Sequence, residues 1–247
     1  MKRNYRLSIS YDGTRYLGWE HQPNTDMTIQ GKIENVLKLM TGEMPDVICA
    51  GRTDAGVHAK GMIANVFLDT EMTENEILNY LNKYLPDDIC INDVSICSDR
   101  FHARYNAIGK TYTYACYMGE VKPVFDRKYV YTLPKKPDVS LMKEASKHLM
   151  GKHDFAAFCA NPRMKKSTVR TVDLISFEEK GDYLYITFHG NGFLQHMVRI
   201  LTGTLLEVGY KNMTPEDVLD ILNSRDRKLA GPTAPAEGLT MVSVDYS

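Results

Sequence analysis

The sequence predicts an α+β fold built as two related halves. Strand-like stretches come in runs, with helices segregated from them. A theme of strands interrupted by helices appears in the first half and again in the second. The 247 residues, 43% hydrophobic and 25% charged, match an ordinary globular protein, with length for two small domains or one large one. No low-complexity linker separates the halves. The join is placed near residue 105, giving an N-terminal half of 1–105 and a C-terminal half of 106–247.

Taken in order, Tyr5, Leu7, Ile9 and Tyr11 alternate with polar residues at the period of a half-buried strand. Thr28 is placed to cap a helix with Ile33, Val36, Leu37 and Met40 on one face, ending at Gly42. Apolar runs at 47–50 and 62–68 predict strands flanking a glycine-rich loop. Thr73, Glu74, Asn75 and Glu76 form a capping box for a helix carrying Ile77, Leu81 and Leu85 and stopped by Pro86. Strands follow near 90–97 and 109–118. In the second half a helix is expected near 139–150, ending at Gly151. A hairpin is expected from strands 171–178 and 183–189 around Lys180, Gly181 and Asp182. A helix over roughly 193–207 carries Phe193, Met197, Ile200, Leu201 and Leu205. Thr214 precedes Pro215, which starts the last helix. Leu239, Met241, Val242 and Val244 finish as a strand.

Composition excludes several classes of function. No apolar run approaches the roughly 20 residues of a membrane span, and residues 1–5 pass directly into the first strand pattern without the apolar core of a signal peptide. Five cysteines, at 49, 90, 97, 116 and 159, contain no CxxC pair, so reduced thiols of a cytoplasmic protein are expected. His148 and His153 are five residues apart and share no helix face, so no metal site is expected. The net charge is −1, yet residues 100–170 hold 15 of the 30 Lys and Arg against 5 of the 31 Asp and Glu. A basic surface on an acidic body suits a face that tracks phosphates. Lys143, Lys147 and Lys152 fit a solvated helix face, whereas Arg163, Lys165, Lys166 and Arg170, around Pro162, are assigned to RNA contact.

The stretch from Ala50 to Lys60 is the most informative in the chain. Glycines at 51, 56 and 61 permit turns and close backbone approaches, and between them stand Arg52 and Asp54. Two residues apart on extended backbone, these side chains can point the same way. A carboxylate beside a permanent cation suits catalysis, although an aspartate in a glycine-rich turn also serves as an Asx-turn or cap residue. The string Gly51-Arg52-Thr53-Asp54-Ala55-Gly56-Val57-His58-Ala59 resembles the signature of the TruA family of tRNA pseudouridine synthases.

Further segments carry the same resemblance in chain order. They include residues 7–13 with Gly18 and Trp19, then Thr28-Ile29-Gln30, Phe101-His102-Ala103-Arg104, residues 110–114, residues 192–199 and residues 234–239. Glu20 departs from the glutamine expected after Gly18 and Trp19, and Gln195 sits at a variable position.

The resemblance implies a pseudouridine synthase fold: two similar halves of mainly antiparallel sheet, joined around a central cleft with helices packed on them. It implies an isomerase acting on uridines 38–40 of the tRNA anticodon stem-loop, working as a homodimer with tRNA lying across both subunits. Asp54 becomes the nucleophile, Tyr112 the residue facing the target base, and Arg199 a cation approaching Asp54. Arg52 would hold Asp54 ionised and would also fill the stacking space left by a flipped base. Tyr114, two residues on, is a weaker claimant to the base contact, and His58 fits a loop histidine better than a catalyst. Isomerisation needs neither oxidant nor external energy, so no cofactor is expected. Two other readings stand beside it. One is a non-catalytic RNA-binding protein of the same fold; the other is a glycoside hydrolase, which requires a second carboxylate as acid.

Overall fold

Alternation makes the first strand, β1 (Arg3–Tyr11): Tyr5, Leu7, Ile9 and Tyr11 are buried while Arg6, Ser8 and Ser10 keep partial access to solvent. The computed structural model describes residues 2–161 and 163–247, so Pro162, about which the basic loop was placed, lies outside the described residues. The chain forms two compact units. One runs to Ile108 and includes Thr240–Ser247; the other is Gly109–Leu239.

In the first unit β1 is followed by α1 (Ile29–Thr41), β2 (Ile48–Cys49), β3 (His58–Leu68), α2 (Glu74–Tyr84) and β4 (Ile89–Ile96). β1 lies between β3 and β4 and is antiparallel to both, with Leu7 opposite Ala64 on one side and Val94 on the other. β2 pairs antiparallel with β3 through Cys49 and Ala64. The capping signals act as expected. Gly31 N donates to Thr28 Oγ1 at 3.2 Å, Gly42 closes α1 at φ 81°, and Thr73 and Glu76 bond reciprocally at the start of α2.

The second unit contains β5 (Ala107–Tyr117), β6 (Tyr131–Thr132), α3 (Val139–Ser146), β7 (Gly151–Asp154), β8 (Val169–Lys180), β9 (Tyr183–Gly190), α4 (Met197–Gly209) and α5 (Pro215–Ser224). Its strands run β5-β9-β8-β7, antiparallel at each step, with β6 parallel to β5. α4 is buried nearly all round, as a core helix is. The last strand, β10 (Leu239–Tyr246), takes the chain back to the first unit, where Thr240 and Met241 pair in parallel with His58 and Ala59.

Three boundaries differ from those expected. Residues 240–247 belong with the first unit and not with 106–247, because a parallel pairing to a strand about 180 residues earlier leaves no local trace in the sequence. α4 begins at Met197, not 193, since His196 at φ 58° is left-handed and no α-helix passes through such a residue. α3 stops at Ser146; a 3₁₀ turn over Lys147–Leu149 and Gly151 at φ 97° follow it. Cys49, Cys116 and Cys159 are buried and outside any disulfide, and burial pushes the Cys116 thiol up to about 12. No helix among the described residues is long and apolar enough to cross a membrane.

Candidate active site

The loop between β2 and β3 is built around a tight turn with Asp54 at its first position. Val57 N donates to Asp54 O at 3.1 Å, and Gly56, at φ 80°, occupies the corner that type II turns reserve for positive φ. Asp54 itself is half-buried. A second segment, residues 11–19, holds this turn from the side. Trp19 N donates to Thr53 O at 3.0 Å, Gly56 N donates to Tyr16 O at 3.3 Å, and Tyr11 Oη shares a hydrogen bond with Thr53 Oγ1 at 2.7 Å. Gly13 N donates to His58 Nδ1 at 3.0 Å. The contact is close enough to require glycine. A Cβ on Gly13 would lie 2.0 Å from Val57 O, and one on Gly18, at φ 97°, would lie 2.8 Å from Thr53 O.

The holding segment is fastened in turn. Tyr16 Oη donates to Asp88 Oδ1 at 2.6 Å, and Asp12 N donates to Asp88 O at 2.9 Å. Burial, reinforced by the Asp88 hydrogen bond, pushes the Tyr16 hydroxyl up to about 12, so it remains a proton donor across the physiological range. His58 is buried, within 3.2 Å of Asp12 Oδ1 as well as accepting from Gly13, which makes it a structural tie of the loop.

Arg52 differs from expectation. Its ion pair is with Glu20, Nη2 to Oε1 at 2.7 Å, with both side chains about half exposed, and not with Asp54. The reason is local: the Trp19–Thr53 hydrogen bond brings Glu20 alongside position 52, and Thr53 turns inward to Tyr11.

In the second unit, Tyr112 lies on β5 opposite Phe188. It is 8% exposed and meets Phe193 edge-on with ring centroids 5.3 Å apart. Tyr114 is fully buried, and its hydroxyl donates to Pro235 O at 2.7 Å. Burial drives that hydroxyl far above its ordinary range, so Tyr114 is a core residue. Arg199, in the first turn of α4, donates from Nε to Ala234 O at 2.7 Å, while Ala234 N donates to Arg199 O at 3.1 Å. That pair of bonds ties the first turn of α4 to the segment at Ala234. Arg163, Lys165 and Lys166 are exposed. Arg170 is half-buried, donates to the carbonyls of Ser167 at 2.8 Å and Val169 at 2.6 Å, and its guanidinium is shifted down by burial. Its first task is thus to order the entry to β8.

The first unit also holds a polar cavity of about 330 Å³ that the sequence did not disclose. Trp19, Glu20, Gly51, Arg52, His102, Arg104 and Tyr105 are among its walls. The available signal was Tyr105, an aromatic residue beside Arg104 at the start of the basic stretch.

A carboxylate on a rigid turn, set in an α+β scaffold, is an arrangement suited to a catalytic nucleophile or base. The sequence matches the family described as tRNA pseudouridine synthase over residues 7–106 and 145–247. Among curated relatives it is 45% identical over 243 residues to the tRNA pseudouridine synthase A of Bacillus sp. (strain KSM-64), covering 98% of this chain and 99% of the relative. The tRNA pseudouridine synthase A 2 of Bacillus anthracis is 44% identical with the same coverage. The tRNA pseudouridine synthase A 1 of Clostridium tetani (strain Massachusetts / E88) is 43% identical over 244 residues, covering 99% of this chain and 100% of the relative. The chain belongs to the tRNA pseudouridine synthase family. Tyr112 falls between the two matched stretches, within the span that the full-length relatives cover.

Proposed function

We propose that this protein isomerises uridine to pseudouridine in tRNA, at positions 38–40 of the anticodon stem-loop, with Asp54 as the catalytic carboxylate. The observation that carries this is the Asp54 turn, pinned by hydrogen bonds from residues 11–19 and closed to side chains at Gly13 and Gly18. The reaction breaks the bond from ribose C1′ to uracil N1 and makes one from C1′ to C5. The proton lost from C5 is balanced by one gained at N1, so no oxidant and no energy source enters. Asp54 supplies the nucleophile or base, already positioned before the substrate arrives.

Tyr112 contacts the target uracil with its ring, held square to Phe193. Arg199, its guanidinium anchored at Ala234, supplies positive charge to the reacting carboxylate. A target within a stem has to be turned out of the helix, at a cost of a few kcal/mol. Arg52 fills the vacated stacking space, exchanging Glu20 for RNA. Arg163, Lys165 and Lys166 contact phosphates, with Arg170 supporting them from the root of β8. The finer reading places the enzyme in the cytoplasm as a homodimer with tRNA across both subunits. Sizing by light scattering at working concentration checks the dimer.

The test of the chemistry is tritium release from tRNA labelled at uracil C5. Wild type is expected to release label, and Asp54→Ala to lose release by at least about 10³-fold while still binding RNA. Release retained in the variant would sink the assignment. Binding without release by wild type would favour the RNA-binding protein of the same fold.

A further inference from the structure

The cavity in the first unit stands beside the catalytic loop and is not used by the chemistry assigned to Asp54. Its volume, about 330 Å³, lies at the lower end of small-ligand sites. Two cations, Arg52 and Arg104, line it together with Glu20, Trp19, His102 and Tyr105. Tyr105 is 71% exposed, unlike most large aromatic residues of this protein. It is not a loose loop residue. His102 Nδ1 accepts from both Arg104 N, at 3.1 Å, and Tyr105 N, at 3.3 Å. Asn106 closes the turn, its Oδ1 accepting from His102 N at 2.7 Å and its N donating to His102 O at 3.0 Å. The Tyr105 ring leans on the His102 ring with centroids 4.2 Å apart. The fold therefore fixes an exposed aromatic ring in the wall of a cavity that Arg52 and Arg104 also line.

An exposed, backbone-anchored ring in a cavity that also holds arginines offers what a single-stranded nucleotide requires: a face for the base and positive charge for the phosphate. The walls also carry two carboxylates, Glu20 and Asp46, so a purely apolar ligand would meet polar walls. Glu20 is paired with Arg52, which leaves Arg104, beside the exposed ring, as the cation with no carboxylate partner among the described residues. Arg52 connects the cavity to the Asp54 turn, since Gly51 and Arg52 line the one and lead into the other. Glu20 already occupies Arg52, at 2.7 Å, and competes for it with RNA.

We propose that this cavity binds one RNA nucleotide next to the target uridine, its base stacked on Tyr105 and its phosphate held by Arg104, beside the Arg52 that leaves Glu20 for the vacated stacking space. The proposal rests on the RNA-modifying activity above for the identity of the ligand. Tyr105 and Arg104 are then positioning residues, and Glu20 sets how readily RNA captures Arg52.

The experiment uses the full chain with an anticodon-arm RNA, following both filter binding and tritium release. Tyr105→Ala is expected to raise Kd and KM about 5-fold or more, with kcat moving less. Tyr105→Phe, which keeps the ring, is expected to restore affinity. Arg104→Gln should weaken binding and lower the salt slope by about 1. Glu20→Gln should act in the opposite direction and lower KM, an effect that mere loss of structure would not produce. The RNA also carries 5-iodouridine beside the target, and photo-crosslinking to residues 102–105 is expected. Normal release by wild type, with Tyr105→Ala within twofold of its KM and no such crosslink, overturns the cavity assignment and spares the activity. A crosslink to Tyr105 and weakened binding, with no release by wild type, supports the cavity and overturns the activity.

Discussion

The turn at Asp54 and the segment at 161–170 both present charge to solvent, but they are built in opposite ways. The turn takes its hydrogen bonds from a segment some 40 residues away, and glycines at 13 and 18 let that segment come within reach of its carbonyl groups. The basic segment is secured mainly at its ends and by its own residues. Phe155 N donates to Thr168 O at 3.1 Å, Arg163 N donates to Asn161 Oδ1 at 3.0 Å, and the side chains of Arg163, Lys165 and Lys166 extend outward. The difference follows from the two tasks. A reacting carboxylate loses rate when misplaced by a fraction of an ångström to an ångström. A lysine facing a phosphate works through charge, screened over about 8–10 Å at ordinary ionic strength, and tolerates several geometries.

The largest effect that would break this contrast is a methyl group between the turn and its clamp. Gly13→Ala places a Cβ 2.0 Å from Val57 O, so the turn or the clamp must shift. Such overpacking costs about 1–3 kcal/mol of stability, and a displacement near 1 Å is expected to lower kcat on the order of 10²-fold. Gly42→Ala is the control. It has φ 81° but nothing within 4 Å of the added Cβ, so it should cost stability through backbone strain and leave kcat near wild type. Melting curves and single-turnover rates on both variants separate the two. Equal losses of kcat would show that the turn is sensitive to stability alone and not to placement.

The basic segment should respond differently. Lys165→Ala with Lys166→Ala removes two charges from a surface that is not tightly packed. Binding should weaken, and the slope of log K against log salt should fall by about 1.4–1.8, depending on whether the contacted RNA is single- or double-stranded. Effects on kcat should be small, and the melting temperature should stay within about 2 °C of wild type, as for surface substitutions elsewhere. A large drop in kcat with an unchanged salt slope would mean that the segment is part of the chemistry and not of phosphate contact.

This contrast also explains what could be read in the sequence. The Asp54 turn was legible because its residues are contiguous and their types are dictated locally: a glycine at the positive-φ corner and strand residues on either side. The capping boxes and the alternation of β1 were legible for the same reason. The clamp was not, since the Gly13–His58 and Trp19–Thr53 contacts join residues more than 30 positions apart. Nor was the Arg52–Glu20 pair, because sequence spacing suggested Asp54 as the nearer partner and cannot register a chain folded back from position 20. The return of β10 to β3 and the anchoring of Arg199 on Ala234 are likewise products of tertiary contact. The hydrogen bonds of Arg170 to Ser167 and Val169 were equally out of reach of the sequence, where only its charge could be read.

The smallest expected effect is one that should fall on neither region. Each unit carries one capping box, Thr73 with Glu76 in the first and Thr214 with Asp217 in the second. Hydrogen bonds donated by the Thr73 backbone and hydroxyl hold the Glu76 carboxyl below its ordinary value of 4.5, and Thr214 holds Asp217 below 3.8 in the same way. A carboxyl lowered in the folded state contributes its stability in full above the unfolded value and loses it as pH falls through the folded one. The contribution is therefore constant from pH 5 upward and declines only in acid. Glu76→Gln with Asp217→Asn should give a shallower loss of stability below about pH 4.5 than wild type, with turnover at pH 6–8 nearly unchanged. Thermal melts across pH 2.5–7 measure the first and tritium release the second. If the double variant lost turnover at neutral pH, the helix starts would be coupled to the Asp54 turn, and its rigidity would derive from the whole of each unit instead of from the clamp at residues 11–19.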